Sequence, residues 1–131
     1  MSVLLVLSGV YNLAWGAWVV LFPEASFEFS GMKNPDLPLH YPQLWQCIGM
    51  IVGVYGVAYA LDARDALRNW PIVLVGLMGK VFGPIGLGFG VATGQARPEG
   101  LITCLTNDLI WWVPFSLILW KAYRTRNDQD A

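Results

Sequence analysis

Four long apolar stretches are the feature that most limits what this chain can fold into. They cover residues 2–22, 43–61, 70–91 and 101–120. Each has about 20 residues, the length that an α-helix needs to cross the hydrocarbon core of a bilayer. Hydrophobic residues make up 56% of the chain and charged residues only 13%. The stretches therefore predict an all-α membrane protein, a single domain (residues 1–131) built as a four-transmembrane-helix bundle.

The basic residues near the helix ends predict how the bundle is oriented. If all four stretches cross, one side carries five basic residues and the other carries only Lys33 and Arg97. Cytoplasmic loops are enriched in Lys and Arg, so we expect both termini in the cytoplasm and residues 121–131 to form a polar cytoplasmic tail. The five basic residues on that side are Arg64, Arg68, Lys121, Arg124 and Arg126.

The connection over residues 23–42 is the longest, and on this orientation it is an outer loop. Four prolines interrupt it, but apolar side chains such as Phe27 and Phe29 lie between them. A loop that keeps apolar residues tends to pack on its own protein or on a membrane interface. We expect it to cap the outer mouth of the bundle, as a structured loop or a short interfacial helix.

Lys80 is the one charge in the third apolar stretch. An ammonium at bilayer depth costs about 3 kcal/mol or more unless it is paired or reaches water, so it marks a candidate functional site. Counted at 1.5 Å per residue, Lys80 lies roughly 16 Å and Asp108 roughly 10 Å from the outer helix ends. These depths are compatible because a lysine side chain can extend toward a polar group. Asp108 is the predicted partner.

Proline and glycine residues indicate where the helices bend and touch. Pro84 has no N–H for the carbonyl of Lys80, and Pro114 likewise frees the carbonyl of Ile110. Freed backbone groups of this kind recur at binding sites inside membrane proteins. Glycines spaced along the first three helices predict close helix packing, with some of them leaving room for a ligand.

Polar residues gather in the outer half of the predicted bundle, and we interpret them as an outward-facing pocket for a small amphipathic ligand such as a quinone or a lipid. Two alternatives stay open. One is a transport or proton-conducting oligomer, and the other is an accessory subunit of a membrane complex in which Lys80 and Asp108 form a structural ion pair. The predicted ligand-binding residues are Asn12, Gln46, Lys80, Asn107, Asp108 and Trp111.

The two cysteines have three interpretations. Cys47 and Cys104 both lie within roughly 6 Å of the outer helix ends. Free cysteine usually behaves as a small buried apolar residue, but matched depth near an oxidising compartment also permits a disulfide. A redox pair working with a quinone is the third interpretation.

Several function classes find no support in the sequence. No basic patch interleaves with aromatic residues, so nucleic-acid binding is not expected. The only histidine, His40, lies in a loop, whereas a haem inside the membrane needs axial ligands at depth. No metal site is predicted, no catalytic residue is assigned, and we favour a role other than that of an enzyme. Expected partners are membrane lipids, further copies of the chain or a larger membrane complex.

The layout resembles the DoxX-like group of small bacterial inner-membrane proteins. The resemblance lies in a Gly-rich third helix with Lys80 and Gly83-Pro84, and in a fourth helix with Asn107-Asp108 before Trp111-Trp112-Val113-Pro114-Phe115. It implies a multi-pass protein of the bacterial inner (plasma) membrane. Some members are linked to quinone or thiol redox systems, which would suit Cys47 and Cys104.

Overall fold

The described part of the chain, residues 2–32 and 39–130 of a computed structural model, contains helices and short connections and no strand. The last apolar stretch is not one regular helix: a 3-10 turn (Pro98–Gly100) precedes it, and a π-helical segment interrupts it. The elements in chain order are α1 (Ser2–Leu21), α2 (Pro23–Phe29), α3 (Pro42–Asp62), α4 (Trp70–Ala92), α5 (Leu101–Cys104), the π segment (Leu105–Leu109) and α6 (Ile110–Asp130).

Four helical stretches are long and apolar enough to cross a membrane, as the sequence predicted. Their outward surfaces are apolar as well: the side chains of Val54, Phe82 and Val113 are 68%, 61% and 67% exposed. Helix α6 also continues through most of the residues predicted as a tail. The four stretches are Ser2–Leu21, Pro42–Asp62, Trp70–Ala92 and Pro98–Asp128.

Helices α1 and α3 pack with their backbones in direct contact. A Cβ atom added at Gly9 would lie 2.7 Å from the carbonyl oxygen of Gly56, and one added at Gly56 would lie 2.7 Å from that of Gly9. Gly16 and Gly49 make a second contact of the same kind. Small residues allow this approach, which drives association where lipid offers no hydrophobic gain. The predicted packing role of these four glycines is confirmed.

The bundle is made of two tightly packed pairs joined by a looser contact. Helix α1 packs mainly on α3, and α4 packs mainly on α6 and the π segment, whereas α3 and α4 touch each other much less. We call the end where α1 begins and α6 ends the terminal end, and the opposite end the α2 end. The apolar core, which includes Leu5, Tyr59, Val73, Phe115 and Ile118, lies toward the terminal end.

Helix α2 and the residues after it lie across the α2 end of the bundle. The Trp45 indole N–H of α3 donates to the Ser26 hydroxyl of α2 over 2.9 Å. The Arg97 backbone N–H donates to the Gly31 carbonyl over 3.1 Å, and Gly31 lies against Gly100. The segment for which an outer cap was predicted therefore begins with a short helix, while residues 33–38 lie outside the described residues.

Candidate functional site

A cavity of about 420 Å³ lies between the two helix pairs. Its α3 wall runs from Trp45 to Tyr59, a distance of about 21 Å at 1.5 Å per residue. The Tyr59 side chain, 2% exposed, ends the cavity toward the terminal end, with its hydroxyl against Gly76. Other walls come from α1, α4, α5, the π segment and the residues after α2. The cavity thus includes the half of the bundle in which the sequence placed the polar residues and extends beyond it to Tyr59.

Lys80 projects into this cavity and is only 6% exposed. Its ammonium donates a hydrogen bond to the backbone carbonyl of Asn107 over 2.6 Å. Between the described Lys80 and Asp108 side chains there is no ion pair within 4.0 Å, although the two charges interact electrostatically. The direct partner of the ammonium is therefore a backbone oxygen one residue before the predicted carboxylate.

The π segment explains this difference from the prediction. In it the Ile110 N–H bonds to the carbonyl of Leu105, five residues back, instead of four as in an α-helix. The wider turn displaces the carbonyls from their α-helical positions, and that of Asn107 accepts the bond from Lys80. Hydropathy carries no signal for a π segment. The sequence therefore predicts the nearest formal charge, Asp108, as the partner of Lys80.

Asp108 lies beside Lys80 and is 7% exposed. Its carboxylate accepts a hydrogen bond from the Asn107 side-chain amide over 3.2 Å and another from the Cys104 thiol. A Cβ added at Gly83 would lie 3.4 Å from this carboxylate, so the bare backbone of α4 gives it room. As predicted, Lys80 and Asp108 lie close together, and both line the same cavity.

The carbonyl that Pro84 frees has a partner on the last helix. The Trp112 indole N–H donates to the Lys80 carbonyl oxygen over 2.9 Å. Lys80 thus joins α4 to the last helical stretch twice, through its ammonium and through its backbone oxygen. The sequence identified the free carbonyl but not the tryptophan that occupies it.

Replacing Trp112 with phenylalanine is expected to destabilise the protein by about 1–3 kcal/mol, because the Lys80 carbonyl would lose its hydrogen-bond partner inside the bundle. Chemical denaturation of the purified protein in detergent measures the loss. Trp120→Phe in the same helix is the matched control, since that ring is 56% exposed. Equal losses for the two variants would show that the hydrogen bond contributes nothing.

The six residues predicted to bind a ligand divide into two groups. Asn12, Lys80, Asn107 and Asp108 line the cavity. Gln46 lies outside it, and its amide donates to the Val20 carbonyl over 2.8 Å, which joins α3 to α1. Trp111 also lies outside, in the apolar core, with its indole N–H directed at the Thr106 carbonyl over 3.2 Å.

Aromatic side chains form a large part of the cavity wall and are not among the predicted ligand-binding residues. Trp15, Trp45, Tyr55 and Tyr59 line it, and the Trp15 and Trp45 rings meet edge to face with centroids 5.8 Å apart. Positions 45, 48, 52, 55 and 59 recur at the three- and four-residue spacing of one helix face. This spacing is the sequence feature that could have predicted the α3 wall of the cavity.

The two cysteines lie in different surroundings. Both are free thiols; Cys47 is exposed on α3, while Cys104 is buried against Asp108 and lines the cavity. The structure therefore does not contain the disulfide that was one of the sequence-based alternatives. Equal depth did not bring the two sulfurs together because only Cys104 faces the bundle interior.

The fold and the cavity define the class of protein that this chain represents. Its four helices are long and apolar enough to cross a membrane, the pattern of a multi-pass membrane protein, and they enclose a partly polar cavity. No family model, no curated protein and no solved structure matches the chain. The resemblance to the DoxX-like group accordingly stays a prediction.

Proposed function

We propose that this protein binds a small amphipathic ligand, quinone-like or lipid-like, inside the membrane. The observation that carries the proposal is the cavity itself, in which one ammonium and one carboxylate lie between apolar and aromatic walls at mid-helix. Its volume falls within the range of about 300–1,000 Å³ typical of small-molecule sites. The Lys80 ammonium uses one of its three N–H groups on Asn107, so it can also bind a polar head group.

The looser contact between α3 and α4 supports a route for the apolar part of such a ligand. Three residues line the cavity and are also exposed on the lateral surface of the bundle. They are Ile48, Ile51 and Val75, which are 45%, 59% and 47% exposed. In a bilayer, that surface faces lipid. The head group then lies at Lys80 and Asp108, and the tail leaves between α3 and α4 into the acyl chains.

The proposal includes an orientation and a location. Both termini lie in the cytoplasm of a bacterial cell, because the basic residues cluster at the terminal end of the bundle. The cavity then lies toward the outer face of the inner membrane, behind α2 and the residues that follow it. Thiol labelling of the variants Tyr41→Cys and Asp128→Cys, from each side of intact vesicles, tests this orientation.

A purely structural role for Lys80 is the second candidate, and one observation favours it. The Lys80 ammonium and carbonyl each hold α4 to the last helical stretch, through Asn107 and Trp112. A scaffold subunit of a larger complex needs such links and no ligand. The two roles differ in whether the cavity is occupied.

Filling the cavity tests the binding proposal. An added Cβ at Gly79 meets nothing within 4 Å, and Gly79 lines the cavity, so Gly79→Leu is expected to leave the fold intact and to lower ligand affinity at least tenfold. Native mass spectrometry of the purified protein measures which small molecule is retained and how much.

Gly86→Leu is the matched control for this experiment. Gly86 lies seven residues further along the same helix, also has open space around an added Cβ, and does not line the cavity. The control is expected to retain the ligand as the unmodified protein does. Retention of the same amount of ligand by Gly79→Leu would contradict the proposed site.

A further inference from the structure

Three residues that line the cavity carry buried side-chain oxygen atoms without a hydrogen-bond partner in the described part of the chain. Among the described residues, the buried side-chain atoms without a partner are all oxygens, and three of the five belong to residues that line the cavity. Those three are Asn12 Oδ1, Asn107 Oδ1 and Ser30 Oγ; the other two are Ser8 Oγ and Asp62 Oδ2. A buried polar atom left unpaired costs about 1–3 kcal/mol, so three on residues around one cavity favour a bound group that satisfies them.

Each of the two amides carries an oxygen acceptor that has no partner among the described residues. The Asn107 side chain donates its N–H to Asp108 Oδ1 over 3.2 Å, which fixes the orientation of the amide and leaves its oxygen free. Asn12 is 3% exposed, and its oxygen has no partner among the described residues. Asp108 adds a carboxylate oxygen that lies against Gly83. A ligand that completes these groups has to donate hydrogen bonds.

The walls around these acceptors suit a flat ring. Trp15 and Trp45 approach from the α2 end, and Tyr55 and Tyr59 follow along α3 toward the terminal end. Aromatic side chains favour stacked or edge-to-face contact with another ring. A hydroxylated aromatic ring meets both requirements, since its faces contact the walls and its O–H groups reach the amide oxygens.

We infer that the head group of the ligand is a hydrogen-bond donor, an aromatic ring with two or more hydroxyl groups, carried on an apolar tail. This inference rests on the proposed binding function and narrows it. A ring that carries only carbonyl or ether oxygens would leave Asn12 and Asn107 unpaired. The site therefore distinguishes a phenolic ligand from an oxidised or alkylated ligand of the same shape.

A matched pair of probes tests the inference on the unmodified protein. The probes are 5-dodecylresorcinol, which has two phenolic hydroxyls and is stable in air, and its dimethyl ether, which has the same ring and tail and no donor. Each is titrated into purified protein in nanodiscs, with empty nanodiscs as the partition control, and tryptophan fluorescence reports binding. We expect the diol to bind at least tenfold more tightly, which corresponds to about 1.4 kcal/mol.

Two substitutions in α1 test which residue causes the preference for the diol over the ether. Asn12→Leu removes the acceptor with little change of shape, and it should bring the two probes to within about threefold of each other. Ser8→Ala is the control, because Ser8 Oγ is equally unpartnered, one turn away on the same helix, and not in the cavity. Ser8→Ala should keep the full preference. Both variants should match or exceed the thermal stability of the unmodified protein, since each removes an unpaired buried oxygen.

The outcomes separate the inference from the function on which it rests. If the ether binds as tightly as the diol and Gly79→Leu weakens both, the cavity binds amphipathic molecules but the donor requirement is wrong. A preference for the diol that survives Asn12→Leu unchanged also overturns it. If Gly79→Leu alters the binding of neither probe, the proposed binding function is wrong as well.

Discussion

Replacing Lys80 with methionine is expected to weaken ligand binding about tenfold to a hundredfold and to destabilise the fold by about 1.5–3 kcal/mol. The loss of affinity follows from a missing hydrogen bond to a charged donor, worth about 1.5–3 kcal/mol. The loss of stability follows because the Asn107 carbonyl would lose a hydrogen bond of the same kind, and Asp108, 7% exposed, would lose its neighbouring cation. Titration of 5-dodecylresorcinol and thermal unfolding measure the two effects on the same sample.

The double variant Lys80→Met/Asp108→Leu separates the two roles of Lys80. Replacing both buried charges with apolar side chains is often neutral or stabilising, so the double variant should regain the stability that Lys80→Met loses through Asp108, but not the part that comes from the Asn107 carbonyl. Binding should not recover, because the polar groups that hold the head group are gone. A double variant that binds the probe normally would favour the scaffold role, and Lys121→Met, at an exposed lysine of α6, controls for the loss of one positive charge.

Replacing Gly56 with alanine is expected to destabilise the protein by about 1–3 kcal/mol, the usual cost of overpacking. The new methyl group would lie 2.7 Å from the Gly9 carbonyl oxygen and 2.9 Å from the Leu13 amide nitrogen. Both are backbone atoms, so α1 and α3 have to move apart. Thermal unfolding in detergent, with helix content followed by circular dichroism, measures the effect.

Gly53→Ala is the control on the same helix, three residues away. Its added methyl group would meet nothing within 4 Å, and alanine favours a helix over glycine by up to about 1 kcal/mol. It should therefore leave stability unchanged or raise it slightly. A similar loss in both variants would mean that glycine serves backbone flexibility here and not close contact.

Sequence patterns were sufficient for the first three long helices and for the depth of the polar groups. The first three apolar stretches predicted helix bounds that differ from those of α1, α3 and α4 by at most about one residue, within the usual spread of helix ends. The fourth stretch is divided by the π segment, and its last helix extends about ten residues beyond the predicted end. Counting residues from the helix ends placed Asn12, Lys80 and Asp108 at depths where they do line one cavity.

The side of the helix on which a residue lies was harder to predict than its depth. Gln46 and Trp111 are at suitable depths, but their side chains contact Val20 and the apolar core instead of the cavity. Apolar helices in a bilayer have no strong polar face to fix their orientation, unlike soluble amphipathic helices. The partners of Lys80, the Asn107 carbonyl and the Trp112 indole, depend on that orientation.

The π segment, Leu105–Leu109, accommodates one residue more than a regular helix would hold over the same length. A regular α-helix turns by about 100° per residue, so the eight residues from Cys104 to Trp112 would set the two side chains about 80° apart. The wider π turn takes up the extra residue, so that Cys104 lines the cavity while Trp112 donates to Lys80 of α4. Deleting one residue from the segment should therefore restore a regular helix without turning α6 relative to α5, but it would remove the displaced carbonyl of Asn107 that accepts the bond from Lys80.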